Sequence, residues 1–345
     1  MVDLNSMGGY NGKDAADMTE RGTALGGCTA QDLLAAMNVS HLRASLDAVI
    51  VVRRNSSFES EDIERAAIVI MDPAVKELVR GPGPSTVAID GHFDRLQTGK
   101  ISPLSYVSAM LSQAIRQQYA QYGVSGNPGL EKENVPRVVV LEYYCALHTA
   151  TDDDLLGPQG LMRCLTTQLL LALLANEWIG QAEAVNLPHL GDGEDELLEQ
   201  KNLEAICRLF VGLVLLVPRD VPIFCFVDGW STYERESIGR EDYNTVLAAF
   251  RDACDSTNPE GCADFRLILS SPTASRWLDD FIMPGQRVSL RNREAVGRNW
   301  HGPGRSGLMG LARAATMPDV NSGLRTGPER SQSWTRPSHD RRSST

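Results

Sequence analysis

The 345-residue chain is 42% hydrophobic and 22% charged, which is enough apolar content for one sizeable core in a length that one large or two small domains could fill. Its net charge of −11 is unevenly placed: from Arg291 onward ten Arg face four acidic residues, a surplus of +6 that leaves −17 for residues 1–290. Such an acidic body excludes a nucleic-acid-binding core.

Residues 1–28 are polar and Gly-rich, lack the apolar stretch of a signal peptide, and are expected to be exposed and disordered. Thr29 can cap a helix in which Leu33, Leu34, Met37, Leu42, Leu46, Val49 and Ile50 recur at helical spacing. A second helix is predicted from Ser60 to Arg80 with a break or kink near Pro73, and Gly81, Pro82, Gly83 and Pro84 close this helical region, 29–83. Residues 84–292 then alternate. Short apolar runs at 86–89, 137–144, 222–227 and 265–270, with a fifth at 287–290, read as strands; 103–121, 158–178, 195–217, 242–255 and 273–282 read as helices. Strands joined by helical crossovers predict a three-layer α/β/α sandwich around a mainly parallel five-stranded sheet. The remaining residues, 293–345, are rich in Ser, Pro, Gly and Arg and are expected to form an exposed tail. The longest apolar run, 210–217, is stopped by Pro218, Arg219 and Asp220, short of a membrane span. Seven Cys with no CxxC spacing cannot all pair within the chain, which points to a reduced, cytoplasmic setting.

The chemistry-bearing residues cluster where these strands end. VPIFCFVDGW, Val221 to Trp230, is an apolar strand ending in Asp228 and Gly229, the way a buried parallel strand presents a carboxylate to a nucleotide-bound magnesium. On the plainer reading Asp228 caps the turn after the strand. The first strand leads through IDGHFDRLQTGKISPLS into a helix, the order a phosphate loop needs to direct backbone N–H groups at phosphates. Gly99 and Lys100 fit that role, whereas Asp94 stands where the first Gly of GxxxxGK[ST] belongs and Ser102 falls one residue late for the magnesium-binding hydroxyl. A surface turn is the competing account. Ser270 and Ser271 end the fourth strand, within reach of a γ-phosphate or as a cap before Pro272, and Arg276 follows one turn later. His148 with Asp152 to Asp154, and His92 with Asp94, outline a metal cluster only if two unrelated loops meet. Cys145 near His148 belongs to an apolar strand and lacks an oxyanion-hole loop.

With VLEYYCALH after the second strand, DDDLLGPQGLMRCLTTQLL opening the next helix, VPIFCFVDGW and FRLILSSP, residues 84–292 resemble the P-loop NTPase core of the STAND/NACHT class, in the degenerate form found in proteins of filamentous fungi. The resemblance implies ATP or GTP binding with magnesium and a switch role in intracellular signalling. It makes Lys100 the phosphate-binding lysine, with Gly99 and Ser102 beside it, Asp228 the Walker B aspartate and magnesium ligand, and Ser271 the sensor on the fourth strand. Trp230 and Ser231 stand where an acidic residue would orient the attacking water, which predicts weak hydrolysis or none. Two functions stay open: a nucleotide-binding switch or pseudo-NTPase, and a protein-interaction scaffold that no longer binds nucleotide. Both expect protein partners, with neither nucleic acid nor membrane.

Overall fold

Four of the five strands bury both of their faces, which is why their runs are continuously apolar instead of alternating with polar residues. The computed structural model describes residues 28–54, 58–81, 85–93, 101–125, 137–185, 187, 194–235, 239–255, 263–283, 285–291 and 304–316. Strands β1 (Ser85–Asp90), β2 (Val139–Tyr144), β3 (Ile223–Asp228), β4 (Phe265–Ser271) and β5 (Arg287–Ser289) form one parallel sheet in the order β2-β3-β4-β1-β5. The α/β/α class read from the pattern is therefore the observed one. Leu141, Tyr143, Cys225, Val227, Leu267 and Leu269 serve one apolar cluster, and Val140, Tyr144, Phe224, Phe226, Ile268 and Ile89 the other. That two-residue alternation assigns every strand-end side chain to a face.

The first face is covered by α1 (Ala30–Met37), and by α6 (Gly157–Ala175), α8 (Leu203–Val214) and α9 (Arg240–Asp255), with α7 (Glu194–Glu199) at the margin. The second is covered by α3 (Ser60–Met71), α4 (Pro73–Arg80), α5 (Pro103–Ser125) and α10 (Gly304–Thr316). Helix α2 (His41–Arg53) lies beside the lateral edge of the sheet, against β2, α5 and α6. The N-terminal helices thus belong to the same two cores as the strands. Two buried arginines secure them: Arg163 donates to the carbonyls of Met37 and Asn38 after α1, and Arg266 on β4 donates to those of Leu78 and Val79 in α4. Both satisfy carbonyls that a helix C-terminus leaves unpaired.

Several predicted helices divide. Thr29 and Asp32 form a capping box for α1, but Asn38 turns left-handed at φ 50° and Ser40 caps a new helix, so the single helix expected from Thr29 becomes two. Asp72 caps α4 with Pro73 in its first turn, so of the break or kink expected near Pro73 the structure shows the break. Lys201 at φ 57° and the Asn202 cap likewise interrupt 195–217. The helix expected at 273–282 is absent. The backbone N–H groups of Ser275, Arg276 and Trp277 go to Asp90 and Glu234, and Arg287 takes the Ser275 carbonyl, so tertiary bonds occupy the Trp277 N–H and the Ser275 carbonyl that a helix would have paired. In the predicted tail, α10 buries Leu308, Ala312 and Ala315 against α3 and α5, and Arg80 donates to the Ala314 and Ala315 carbonyls. That stretch is part of the core, contrary to the exposed tail expected there. The reading of residues 1–28 falls on 1–27, outside the described residues. Among the described residues no helix is long and apolar enough to cross a membrane.

Candidate functional site

In an open parallel sheet, ligands bind outside the carboxyl ends of the strands where successive connections leave on opposite faces. That position lies between β1 and β4: the chain after β1 enters α5 on one face, while the chain after β4 places Leu278 and Ile282 on the other. Here the crevice is closed. Gly91 N donates to Ser271 O and Phe93 N to Pro272 O, both at 2.8 Å, extending the ladder past the strand ends. Arg65 holds the Gly91 and His92 carbonyls at 2.7 and 2.9 Å.

Asp228 ends β3 on the α5 face, directly in register with Ser270, and Gly229 behind it takes φ 79°, a conformation glycine adopts without strain. Asp228 is 1% exposed. Its Oδ1 accepts the Ser270 hydroxyl at 2.5 Å, whereas Oδ2 accepts no well-formed hydrogen bond. Burial pushes the carboxyl up to about 6 against the lowering effect of the Ser105 and Ser270 hydroxyls. Around it is a buried serine cluster. Ser102 and Ser105 cap the start of α5 reciprocally, Ser102 N donating to Ser105 Oγ at 3.0 Å and Ser105 N to Ser102 Oγ at 3.2 Å. Ser108 Oγ lies 3.4 Å from Ser270 Oγ.

On the opposite face the acids have structural tasks. Asp90 accepts Arg287 Nε at 2.6 Å and Ser275 N at 3.2 Å. Glu234 accepts the Ser275 hydroxyl and the backbone N–H groups of Arg276 and Trp277. Ser271 Oγ accepts Ser231 N at 3.3 Å. His148, beyond β2, places Nε2 2.8 Å from Asp47 of α2 and Nδ1 3.0 Å from Asp153, and stacks on Tyr143. Burial by itself would lower its pKa, but Asp47 and then Asp153 raise it above the ordinary value. Cys145 is buried, and burial followed by the nearby Asp228 charge pushes its thiol well up, which removes it as a nucleophile.

The chain matches no family model, no curated protein and no solved structure.

Of the residues singled out in the sequence, Asp228 and Ser102 meet at the start of α5 through Ser105, whereas Ser271 points to the other face and its neighbour Ser270 makes the contact to Asp228. Gly99 and Lys100 lie outside the described residues. Ser105, missed in the sequence, is the second serine of Ser102-Pro-Leu-Ser105, a spacing that signals a helix cap. A magnesium–nucleotide does not fit the described residues as they stand. The Asp228 carboxylate is sealed and shared with Ser270, and Asp90 and Glu234 are tied to Arg287 and to backbone N–H groups. Among the described residues no group of three or more His, Cys, Asp or Glu is arranged to hold a metal.

Proposed function

We propose that this chain is a degenerate P-loop NTPase-like domain of the STAND/NACHT kind that acts as a pseudo-NTPase, keeping the sheet and its Walker-B-like strand but not hydrolysis. The observation that carries the reading is the sealed Asp228 carboxylate at the end of β3, set against the first turn of the helix that follows β1. A strand–loop–helix unit facing an acidic strand end is the arrangement that cradles phosphates. Its acids here are bound to structural partners, which leaves no described carboxylate to orient water. Such a domain works through protein contacts in signalling.

A nucleotide-dependent switch is the second reading, favoured by the unpaired Asp228 Oδ2. An unsatisfied buried oxygen costs about 1–3 kcal/mol, a cost that a bound cation would relieve.

Calorimetric titration with ATP and GTP, with and without magnesium, separates the two in wild type, Lys100→Ala and Asp228→Asn. The pseudo-NTPase predicts no magnesium-dependent binding and no phosphate release. Magnesium-dependent heat in wild type that both variants lose would establish the switch; nucleotide at a hundredfold excess over Kd would then raise stability by about 2.7 kcal/mol.

A further inference from the structure

A cavity lies away from the carboxyl edge. It has a volume of about 630 Å³ and sits between α2 and the free lateral edge of β2, with α5 and α6 forming its other walls. That volume is in the range of small-molecule sites, roughly 300–1,000 Å³.

Two classes of occupant compete for such a place, an added β-strand and a small molecule. A strand would need the outward backbone groups of β2, and these are taken. Arg116 donates to Val140 O at 2.9 Å, and Gln168 both accepts from Glu142 N and donates to Glu142 O, at 2.9 and 2.7 Å. With its central residues capped by side chains, the edge cannot act as a pairing template.

What remains is an apolar chamber with a charged margin. Val49 and Val52 of α2, Val138, and Leu171 of α6 supply the apolar walls. Glu142 on the β2 side is fully engaged, its Oε1 accepting Ser112 and Tyr144 hydroxyls at 2.5 and 3.0 Å and its Oε2 accepting Arg116 at 2.7 Å. The Arg116 charge is thereby matched. Arg53, in the last turn of α2, also lines the cavity and makes no hydrogen bond or ion pair among the described residues. Among the described residues, the lining therefore carries one uncompensated positive charge, in a protein whose net charge is −11.

We propose that this cavity binds an amphiphilic monocarboxylate, a small molecule with an apolar chain or ring and one carboxylate head. The planar guanidinium of Arg53 matches a carboxylate fork. The valines and Leu171 cover the apolar body, whose burial supplies affinity at about 25 cal/mol per Å². One unmatched guanidinium fits a single anionic charge. The site is independent of the nucleotide reading, since none of its lining residues belongs to the carboxyl edge.

Decanoate, below its micellar concentration, and decanol are the probes, titrated calorimetrically into the full chain. Wild type is expected to bind decanoate at one saturable site, at least tenfold tighter than decanol. Arg53→Gln, at an exposed position, should weaken decanoate about tenfold and leave decanol unchanged. Val49→Trp, also at an exposed position and filling the chamber, should abolish both. Absence of saturable decanoate binding, equal affinity for the two probes, or decanoate binding that survives Val49→Trp would overturn the proposal.

Discussion

The carboxyl edge of the sheet and its lateral β2 edge are built from similar materials and end in opposite states. At the carboxyl edge Asp228, Asp90 and Glu234 each face a partner already in place, the crevice between β1 and β4 is laced shut, and polar side chains hold the structure together. At the lateral edge Glu142 and Arg116 satisfy each other and the strand backbone, yet a cavity remains beside them with an unmatched Arg53. In an α/β sheet the position where ligands are expected follows from connectivity, whereas the position where one can enter follows from which side chains are left over. The two positions differ in this protein. His148 joins the regions, since it stands at the carboxyl end of β2 and grips Asp47 on the cavity-bearing helix α2.

The most severe way to break the comparison is to remove that joint. His148→Leu strands the buried Asp47 carboxylate and should cost about 3–5 kcal/mol in urea unfolding, loosening both regions together. Wild type should also lose stability as pH rises: a histidine whose pKa is raised on folding contributes fully below about 6.5, its unfolded value, and less as pH climbs through the folded value. A variant that retained this slope would mean another group carries it.

A smaller effect, of opposite sign, belongs to Asp228. Between its unfolded value of 3.8 and its folded value of about 6, the folded protein holds a proton that the unfolded chain has released, so stability falls with rising pH across that window. Above it the deficit is full, on the order of 3 kcal/mol. Asp228→Asn should therefore stabilise the protein by roughly that amount at pH 7.5, show no gain near pH 3.5, and flatten the slope between them in chemical denaturation. Destabilisation at pH 7.5 would show that the charge is matched by something other than the serines.

The smallest effect is a contrast. Arg53→Gln should change stability by less than about 0.5 kcal/mol in thermal unfolding, because no described residue bonds to that guanidinium. A larger loss would move Arg53 into the structural class of Arg163 and Arg266 and remove the distinction between the two edges.

Much of the architecture was legible because burial on both faces demands uninterrupted apolar strands, and IFCFVD, VVLEYY and FRLILSS cannot be read otherwise in this rhythm. The position of Asp228 at a strand end followed directly. Its partner did not: Ser270 and Ser271 are indistinguishable until the register Asp228↔Ser270 is known, and one residue of shift exchanges the two faces. The reading of 273–282 as a helix failed for a related reason, since local propensity was overruled by Asp90 and Glu234, distant in sequence, together with Arg287.

By itself, then, the sequence determined the elements and their class, because hydrophobic periodicity and capping residues act within a few positions of one another. Only the tertiary structure decided that β2 is an edge strand with α2 beside it, that Arg53 is left without a partner among the described residues while Arg116 is not, and that α10 closes over α3 and α5. Pairing of charges and closure of cavities depend on distances between segments from 26 to 235 residues apart, and those distances exist only once the sheet has ordered its strands.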